Sequence, residues 1–347
     1  MSSGPYLFRS EPLLVSRVWG GRRLEELFGK QLPGPGPFGE SWEVADLPEG
    51  QSLVGSGPMQ GKTLGEVSEL WGRELVGTQA PEARRFPLLV KLLDACRDLS
   101  VQVHPGPSDL EALPPGARSK DEAWVVLHSD GGEIIHGLSR DGLSADELRG
   151  AAKEGELEGF LERLGVKAGD VVRVSPGTIH AICAGVALLE VQEPSDTTYR
   201  IYDYGRPGLD GRPRQLHLEE ALQVASLRRS RRVVVSPEAL GPGHELLVSA
   251  PGYRIERLTT AGPAEWAWAV EEGSAQVLQS FQGALSLTGS QGEEVSLAPF
   301  QTVVIPAAAK EIRLRTSADA VVVVAGLSAP RPLLSKLRRL EREATAL

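Results

Sequence analysis

With 347 residues the chain is long enough to bury a large core and to form two domains, or one large domain with attached pieces. Its 37 Lys and Arg stand against 46 Asp and Glu, a formal charge of -9, so no general basic field draws nucleic acid or an anionic membrane, and an anionic ligand requires a local cluster of cations. The two cysteines, Cys96 and Cys183, are too few for a disulfide scaffold or a Cys-only zinc site and read as small buried hydrophobes; no signal-peptide or membrane-spanning run is evident, and a cytoplasmic protein without an obligate protein partner is the expectation.

The opening is punctuated by Gly20-Gly21 and by LPGPGPFGESWEV over 32–44, a loop by composition. A polar-apolar pattern over about 62–77 predicts a helix, and Phe86-Pro87 introduces LLVKLLDA, an apolar run suited to a buried strand. The blocks LSVQVHP (99–105), AWVVLHS (123–129) and GEIIHGL (132–138) are short, rich in β-branched residues and separated by turns, as antiparallel β architecture requires. A helical insertion follows over 144–164, with Ser144 as N-cap and Glu147 three residues on; Gly150 and Gly155 favour two short helices over one long one. After a return to β character from Asp170, HLEEALQVASL (217–227) reads as one more helix. This first domain is placed at 1–240. From 241 to 330 alternating apolar and polar residues around turns predict a second all-β domain, with His244, the last of six histidines, at its entrance and hence no His-based metal centre of its own. The tail, 331–347, reads as a short charged helix or a frayed end.

The strongest local chemical signal is Gln102-Val103-His104. On a strand, residues two apart share a face, so the Gln102 amide oxygen and the His104 imidazole are presented together. Glu122 leads into the strand AWVVL and offers an anionic oxygen. In DVVRVSPGTIH a strand is stopped by Pro176, turned by Gly177 and restarted with His180 aimed into the sheet's interior. Two imidazoles, one carboxylate and one amide oxygen, with room for water or substrate oxygens, suit a catalytic Zn2+. A neutral amide in place of a second anion leaves the ion more electron-poor, so a bound carbonyl is polarised more strongly.

At these residues the chain resembles the short bacterial form of the type I mannose-6-phosphate isomerases. The resemblance rests on FPLLVKLLDACRDLSVQVHP (86–105), SKDEAWVVL (119–127), SPGTIHAICAGVALLEVQEPSDTTYRIYDYGR (175–206) and RPRQLHLEEAL (212–222), with Trp19-Gly20-Gly21 and GESWEVAD (39–46) in support. It covers about the first 225 residues; beyond them only the β texture fits. It implies a mainly β fold of cupin-like jelly-roll domains, bicupin in type, with a small helical insertion. It implies one Zn2+ per chain held by Gln102, His104, Glu122 and His180, and the interconversion of mannose 6-phosphate and fructose 6-phosphate through a cis-enediol(ate). It places Lys91, Lys120 and Arg200 on the family's cationic active-site positions. One departure is Lys120-Asp121-Glu122, where the family more often shows Thr or Pro between the lysine and the glutamate.

Each cation also has a plain structural reading. Lys91 can snorkel from an apolar strand, Lys120 can lie on a surface turn, and Arg200 can pair with Asp196 or Asp203; Tyr199, Tyr202 and Tyr204 read as core or pocket wall. Two His and one Glu also match the ligand types of an Fe2+-dependent oxygenase, which metal analysis and dioxygen uptake would reveal, and a sugar-binding cupin without catalysis would fail a coupled isomerase assay. A phosphorylated sugar is the expected partner, with neither nucleic acid nor membrane.

Overall fold

The computed structural model describes residues 4–230, 233–270, 273–327 and 337–339. It is mainly β, a cupin fold of several antiparallel sheets. None of its described helices is long and apolar enough to cross a membrane.

The chain divides into two compact units, and neither is a continuous segment. One comprises 14–42 and 90–236, the other 1–13, 43–89 and 237–347. The linear division placed at 240 therefore needs correction. A break does fall at 236/237, but residues 1–13 and 43–89 group with the C-terminal part, because the strand Phe8–Glu11 pairs with Thr302–Ile305 and with Leu53–Val54.

The first unit is built on β1 (Leu13–Gly21), β2 (Phe38–Val44), β3 (Leu89–Ala95), β4 (Val101–Val103), β5 (Glu122–Ser129), β6 (Glu133–Leu138), β7 (Leu161–Gly165), β8 (Val171–Val174), β9 (His180–Ile182), β10 (Val186–Gln192) and β11 (Tyr199–Tyr202). One sheet has the order β8-β5-β10-β3-β2-β1, the other β7-β6-β9-β4-β11. The two-residue side-chain period assigns the faces. Trp124 and Val126 of β5, Val186 and Leu188 of β10, Leu93 and Ala95 of β3 and Ile182 of β9 meet in one core. Val101 and Val103 of β4, Ala181 of β9 and Tyr199 and Ile201 of β11 turn the other way, into a second core. There they are covered by Leu148 and Ala152 of helix α1 (Ala145–Glu154) and by Ala221, Leu222 and Val224 of α2 (Leu218–Val224). The alternate residues of the five-stranded sheet, Gln102 and His180 among them, are left for the side facing the first core.

Helix α1 starts as expected, with Ser144 Oγ accepting from Glu147 N at 3.2 Å and the Glu147 carboxylate accepting from Ser144 N at 2.8 Å. It ends at Gly155 in the left-handed region. The second half of the 144–164 insertion is a 3-10 turn, Leu157–Phe160, followed by strand β7 rather than a second α-helix. The expected loop over 32–44 is a loop only to Pro37: Phe38–Val44 is a wholly buried strand. Gly39 permits it, since a Cβ there would lie 2.6 Å from the Trp19 ring. Cys183 is buried as expected, whereas Cys96 is exposed, since β3 has already ended at Ala95.

In the second unit an eight-stranded sheet runs from Glu238–Gly241 to Leu53–Val54. It packs on a five-stranded sheet through a core that includes Leu258, Leu278, Val303 and Val322 from one side and Trp266, Trp268, Leu287 and Leu314 from the other. Thr63 and Glu66 form a capping box on the helix Leu64–Trp71, followed by a short helix, Arg73–Val76, within the helical region expected at 62–77. His244 is buried and bonds Glu256 at 2.6 Å, and Arg254 holds the other oxygen of that carboxylate at 2.8 Å. Of the tail read as helical or frayed, Leu337–Arg339 forms a strand paired with Trp266–Trp268; the rest of 331–347 lies outside the described residues.

Candidate metal centre and cavity

β9 lies between β4 and β6, with His180 opposite Gln102 on one side and His136 on the other. The Pro176-Gly177 turn sets this register: Gly177 has φ +80°, and its N–H donates to His104 O at 2.8 Å. On the facing sheet, Glu122 opens β5 opposite Val174 and Gln192. His104, Glu122 and His180 thus converge, one potential ligand atom from each lying within 4.8 Å of the others, and all three are buried. Among the described residues no other group of His, Cys, Asp and Glu has this geometry.

The imidazoles are held from behind. His104 Nδ1–H donates to Thr197 O at 2.9 Å and His180 Nδ1–H to Thr178 O at 2.8 Å, which leaves the Nε2 lone pairs directed at the Glu122 carboxylate, 3.4 and 3.3 Å away. Burial drives both imidazoles toward the neutral form, His180 down to about 3. Burial opposes ionisation of Glu122, but Lys120 and then His104 outweigh it and hold the carboxyl well below its ordinary value. The Gln102 amide lies 3.3 Å from His180 Nε2; half a turn about its Cγ–Cδ bond exchanges N and O at that place.

This donor set fits a divalent cation. Glu122 Oε1 is buried without an accepted hydrogen bond, Oε2 faces Lys120 Nζ, and two neutral imidazoles present lone pairs beside them. Groups of this kind, all turned inward, are costly unless something positive satisfies them. Lys120 supplies part of that charge, its Nζ standing 2.8 Å from Glu122 and 3.1 Å from His104 Nε2.

Gln102 and Lys120 also line a cavity of about 380 Å³ together with Lys91, Glu190, Glu40, Arg17, Arg200, Arg214 and the Trp19 and Trp124 rings. Lys91 is not a snorkelling surface residue. It is 3% exposed, its Nζ is 3.2 Å from Glu190, and it stands 5.3 Å from the centre of the Trp42 ring. Lys120, also 3% exposed, is not a surface turn. Arg200 makes no ion pair within 4 Å among the described residues, and its Nε is buried without a partner; Asp203, a candidate partner, is taken instead by Arg206 and Arg214. Tyr199 packs in the core under the helices, with Tyr202 beside it. The extra carboxylate at Asp121 pairs with Arg173 at 2.7 Å.

Sequence reasoning did not single out Glu40, Glu190, Trp42, Arg17 or Arg214. Glu190 sits in the apolar run ALLEVQ and Lys91 in LLVKLL; two lone opposite charges in two buried strands were a usable signal for a pair. Burial, and then Glu122, raise the Glu190 carboxyl above its ordinary value. Glu40, although burial opposes its ionisation, is held down at about 2 by Lys91 and Arg17.

A family model described as the phosphomannose isomerase type I catalytic domain matches residues 7–122. The mannose-6-phosphate isomerase ManA of Bacillus subtilis is 41% identical over 227 residues, 65% of this chain and 69% of its own. The mannose-6-phosphate isomerase of Streptococcus mutans is 38% identical over 261 residues, 73% of this chain and 80% of its own. A crystal structure of the mannose 6-phosphate isomerase from Bacillus subtilis superposes with a TM-score of 0.81 at 30% identity, covering 92% of this chain and 99% of that one.

Proposed function

Starting from a chain that belongs to the type I phosphomannose isomerase family and interconverts mannose 6-phosphate and fructose 6-phosphate, we propose that it does so with a Zn2+ held by Gln102, His104, Glu122 and His180 and with Lys91, Lys120 and Arg200 as its working cations. The observation that carries this reading is the convergence of two back-bonded neutral imidazoles on a buried carboxylate, beside Gln102 and Lys120 of a polar cavity's wall. The ion supplies a Lewis acid that polarises the substrate's carbonyl or hydroxyl.

The chain's own groups provide the rest. Exchange of the carbonyl between C1 and C2 passes through a cis-enediol(ate), and negative charge grows on the oxygens of those carbons, where fixed cations count most in a water-poor site. Arg200 is opposite Gln102 in the β11–β4 pairing, so its guanidinium arises one strand from those residues, with no ion pair within 4 Å among the described residues and its Nε left without a partner. Lys120 can donate a proton to a sugar oxygen and recover it. Glu190, its proton affinity raised by burial, faces the same cavity and is suited to carry a proton between the two carbons. Trp124 Nε1 donates to Glu190 at 3.1 Å and fixes its orientation.

A coupled assay on protein stripped of metal and reloaded with Zn2+, Co2+ or Mn2+ tests the reading. Turnover is expected only after loading, with about one ion per chain; full activity in rigorously metal-free protein would end it. The site lies among soluble-sugar chemistry, and we place the enzyme in the cytoplasm.

A further inference from the structure

The loop after β11 carries a cationic device that the metal chemistry does not use. Asp203 is 5% exposed, and its carboxylate is gripped by two arginines. Arg206 donates to Oδ1 through Nε at 3.0 Å and Nη2 at 2.8 Å. Arg214 donates through Nε to Oδ2 at 2.7 Å and through Nη2 to Oδ1. One anion thus holds two cations, which leaves a net positive charge. The turn between them is braced by Gly208 N–H to Arg212 O at 2.6 Å and by a bridge between Pro207 and Pro213, so Arg214 is presented on a stiff hairpin. Arg214 lines the cavity and Arg206 does not.

Arg200 lines the same cavity and makes no ion pair within 4 Å among the described residues, Asp203 and Asp196 acting on it only from farther off. The other acidic residues on this side, Asp196 and Asp210, are exposed and make no ion pair within 4 Å with either arginine among the described residues, so solvent screens them. A phosphate monoester carries about -1.5 to -2 charge near neutral pH. Arg200 and the Asp203–Arg206–Arg214 group, with one net positive charge each, together match that charge, and a guanidinium fork matches phosphate geometry. Arg200 stems from the strand beside Gln102, near the end of the cavity where C1 and C2 react, whereas Arg214 enters from the loop.

We propose that Arg214 is the anchor for the substrate's phosphate, and that Asp203 is its positioning residue. This rests on the isomerase reading above for the identity of the substrate. Asp203 uses the Nε and one Nη of Arg214, so the remaining Nη is free to donate into the cavity without losing the orientation that Asp203 imposes. Arg200 then works nearer the reacting oxygens, which divides the two arginines between binding and turnover.

The test uses the full-length, metal-loaded protein and the variants Arg214→Ala, Arg214→Lys and Asp203→Asn. Inorganic phosphate serves as a competitive inhibitor and, in calorimetry, as a ligand read without turnover. Arg214→Ala is expected to raise KM for mannose 6-phosphate at least about tenfold and to weaken phosphate inhibition by a similar factor, with kcat within about threefold of the parent. Asp203→Asn, which keeps Arg214 but loosens its orientation, should move KM the same way by less. Arg214→Lys keeps the charge and the pairing with Asp203, so it folds even where the alanine variant does not, and it should fall between. A KM and a phosphate affinity indifferent to Arg214 in folded protein, or a loss confined to kcat, overturns the proposal. If the parent failed to isomerise mannose 6-phosphate yet bound phosphate in an Arg214-dependent way, the isomerase reading would fall and the anchor would stand. Turnover of mannose 6-phosphate with a KM independent of Arg214 would leave the isomerase reading standing and remove the anchor.

Discussion

Replacing Lys91 with Met keeps the length and the apolar stem of the side chain and removes its charge. Glu190, 3.2 Å away and 4% exposed, then loses its counter-charge. Glu40, held at about 2 against its burial chiefly by Lys91 and Arg17, keeps Arg17 and the hydrogen bond from Trp42 Nε1. Removing one partner of a buried pair costs about 3–5 kcal/mol. Glu190 can escape part of that by taking up a proton, since burial and Glu122 already push its carboxyl up, which places the expected loss near the lower end, about 3 kcal/mol at neutral pH. For a chain of 347 residues that corresponds to a melting temperature lower by about 4 °C. The pH dependence has a definite sign. A carboxyl whose folded pKa lies above its unfolded value favours the fold at low pH and opposes it as pH rises through the folded pKa. The gap between variant and parent should therefore be wide at about pH 8 and narrower at about pH 5, where Glu190 is closer to neutral. Thermal melts of both proteins, monitored by circular dichroism at the two pH values with turnover recorded on the folded protein, read this out. A Met variant that melts with the parent at both pH values and keeps its kcat would show that the pair contributes nothing, and the reasoning about a buried, mutually dependent charge cluster would be wrong.

Other perturbations separate catalysis from support. Arg200→Lys should keep its metal and melting temperature but lose at least about tenfold in kcat/KM, roughly 1.4 kcal/mol, because an ammonium cannot reproduce the guanidinium's paired donors; unchanged kinetics with a lowered melting temperature would make Arg200 structural. His136→Ala removes bonds to Ser230 Oγ and Arg173 O, both at 3.0 Å, and should lower stability by about 1–3 kcal/mol while metal content stays at the parent's level. Thr63→Ala opens the capping box on Leu64–Trp71 and should cost about 1 kcal/mol, read as a shift in melting temperature with KM unchanged. Residues 237–347 expressed alone lack the strand Phe8–Glu11 that pairs with Thr302–Ile305, leaving that edge unpaired; they are expected to aggregate or stay unfolded, and a cooperative melt from that fragment would refute the discontinuous unit.

The residues proposed to hold the metal were legible because strand periodicity and turn chemistry are local. Gln102 and His104 share a face by the two-residue period, and Pro176-Gly177 announces a forced turn before His180. Glu122 was picked out by its place at the start of the strand AWVVL, a weaker signal, since nothing local distinguishes it from a solvated turn after Lys120-Asp121, and the resemblance strengthened it. The Lys91–Glu190 pair joins strands nearly one hundred positions apart in the sequence, and such pairing is set by sheet order, which alternation within a strand does not encode. The strand at 38–44 was hidden by the Gly and Pro content before it: composition marks where a chain turns, and it cannot say that Gly39 is there to let the Trp19 ring lie against the backbone. The grouping of 1–13 and 43–89 with the C-terminal sheet was likewise beyond local signals, because one short strand pairing decides it.

The most direct test of the metal-centred account is to measure divalent metal content, by plasma emission after exhaustive dialysis, alongside mannose 6-phosphate turnover in the parent and in His180→Ala. The account predicts about one ion per chain and robust turnover in the parent, and a folded variant that retains neither. A folded His180→Ala protein that holds its ion as the parent does, or that isomerises mannose 6-phosphate at the parent's rate without one, would contradict it.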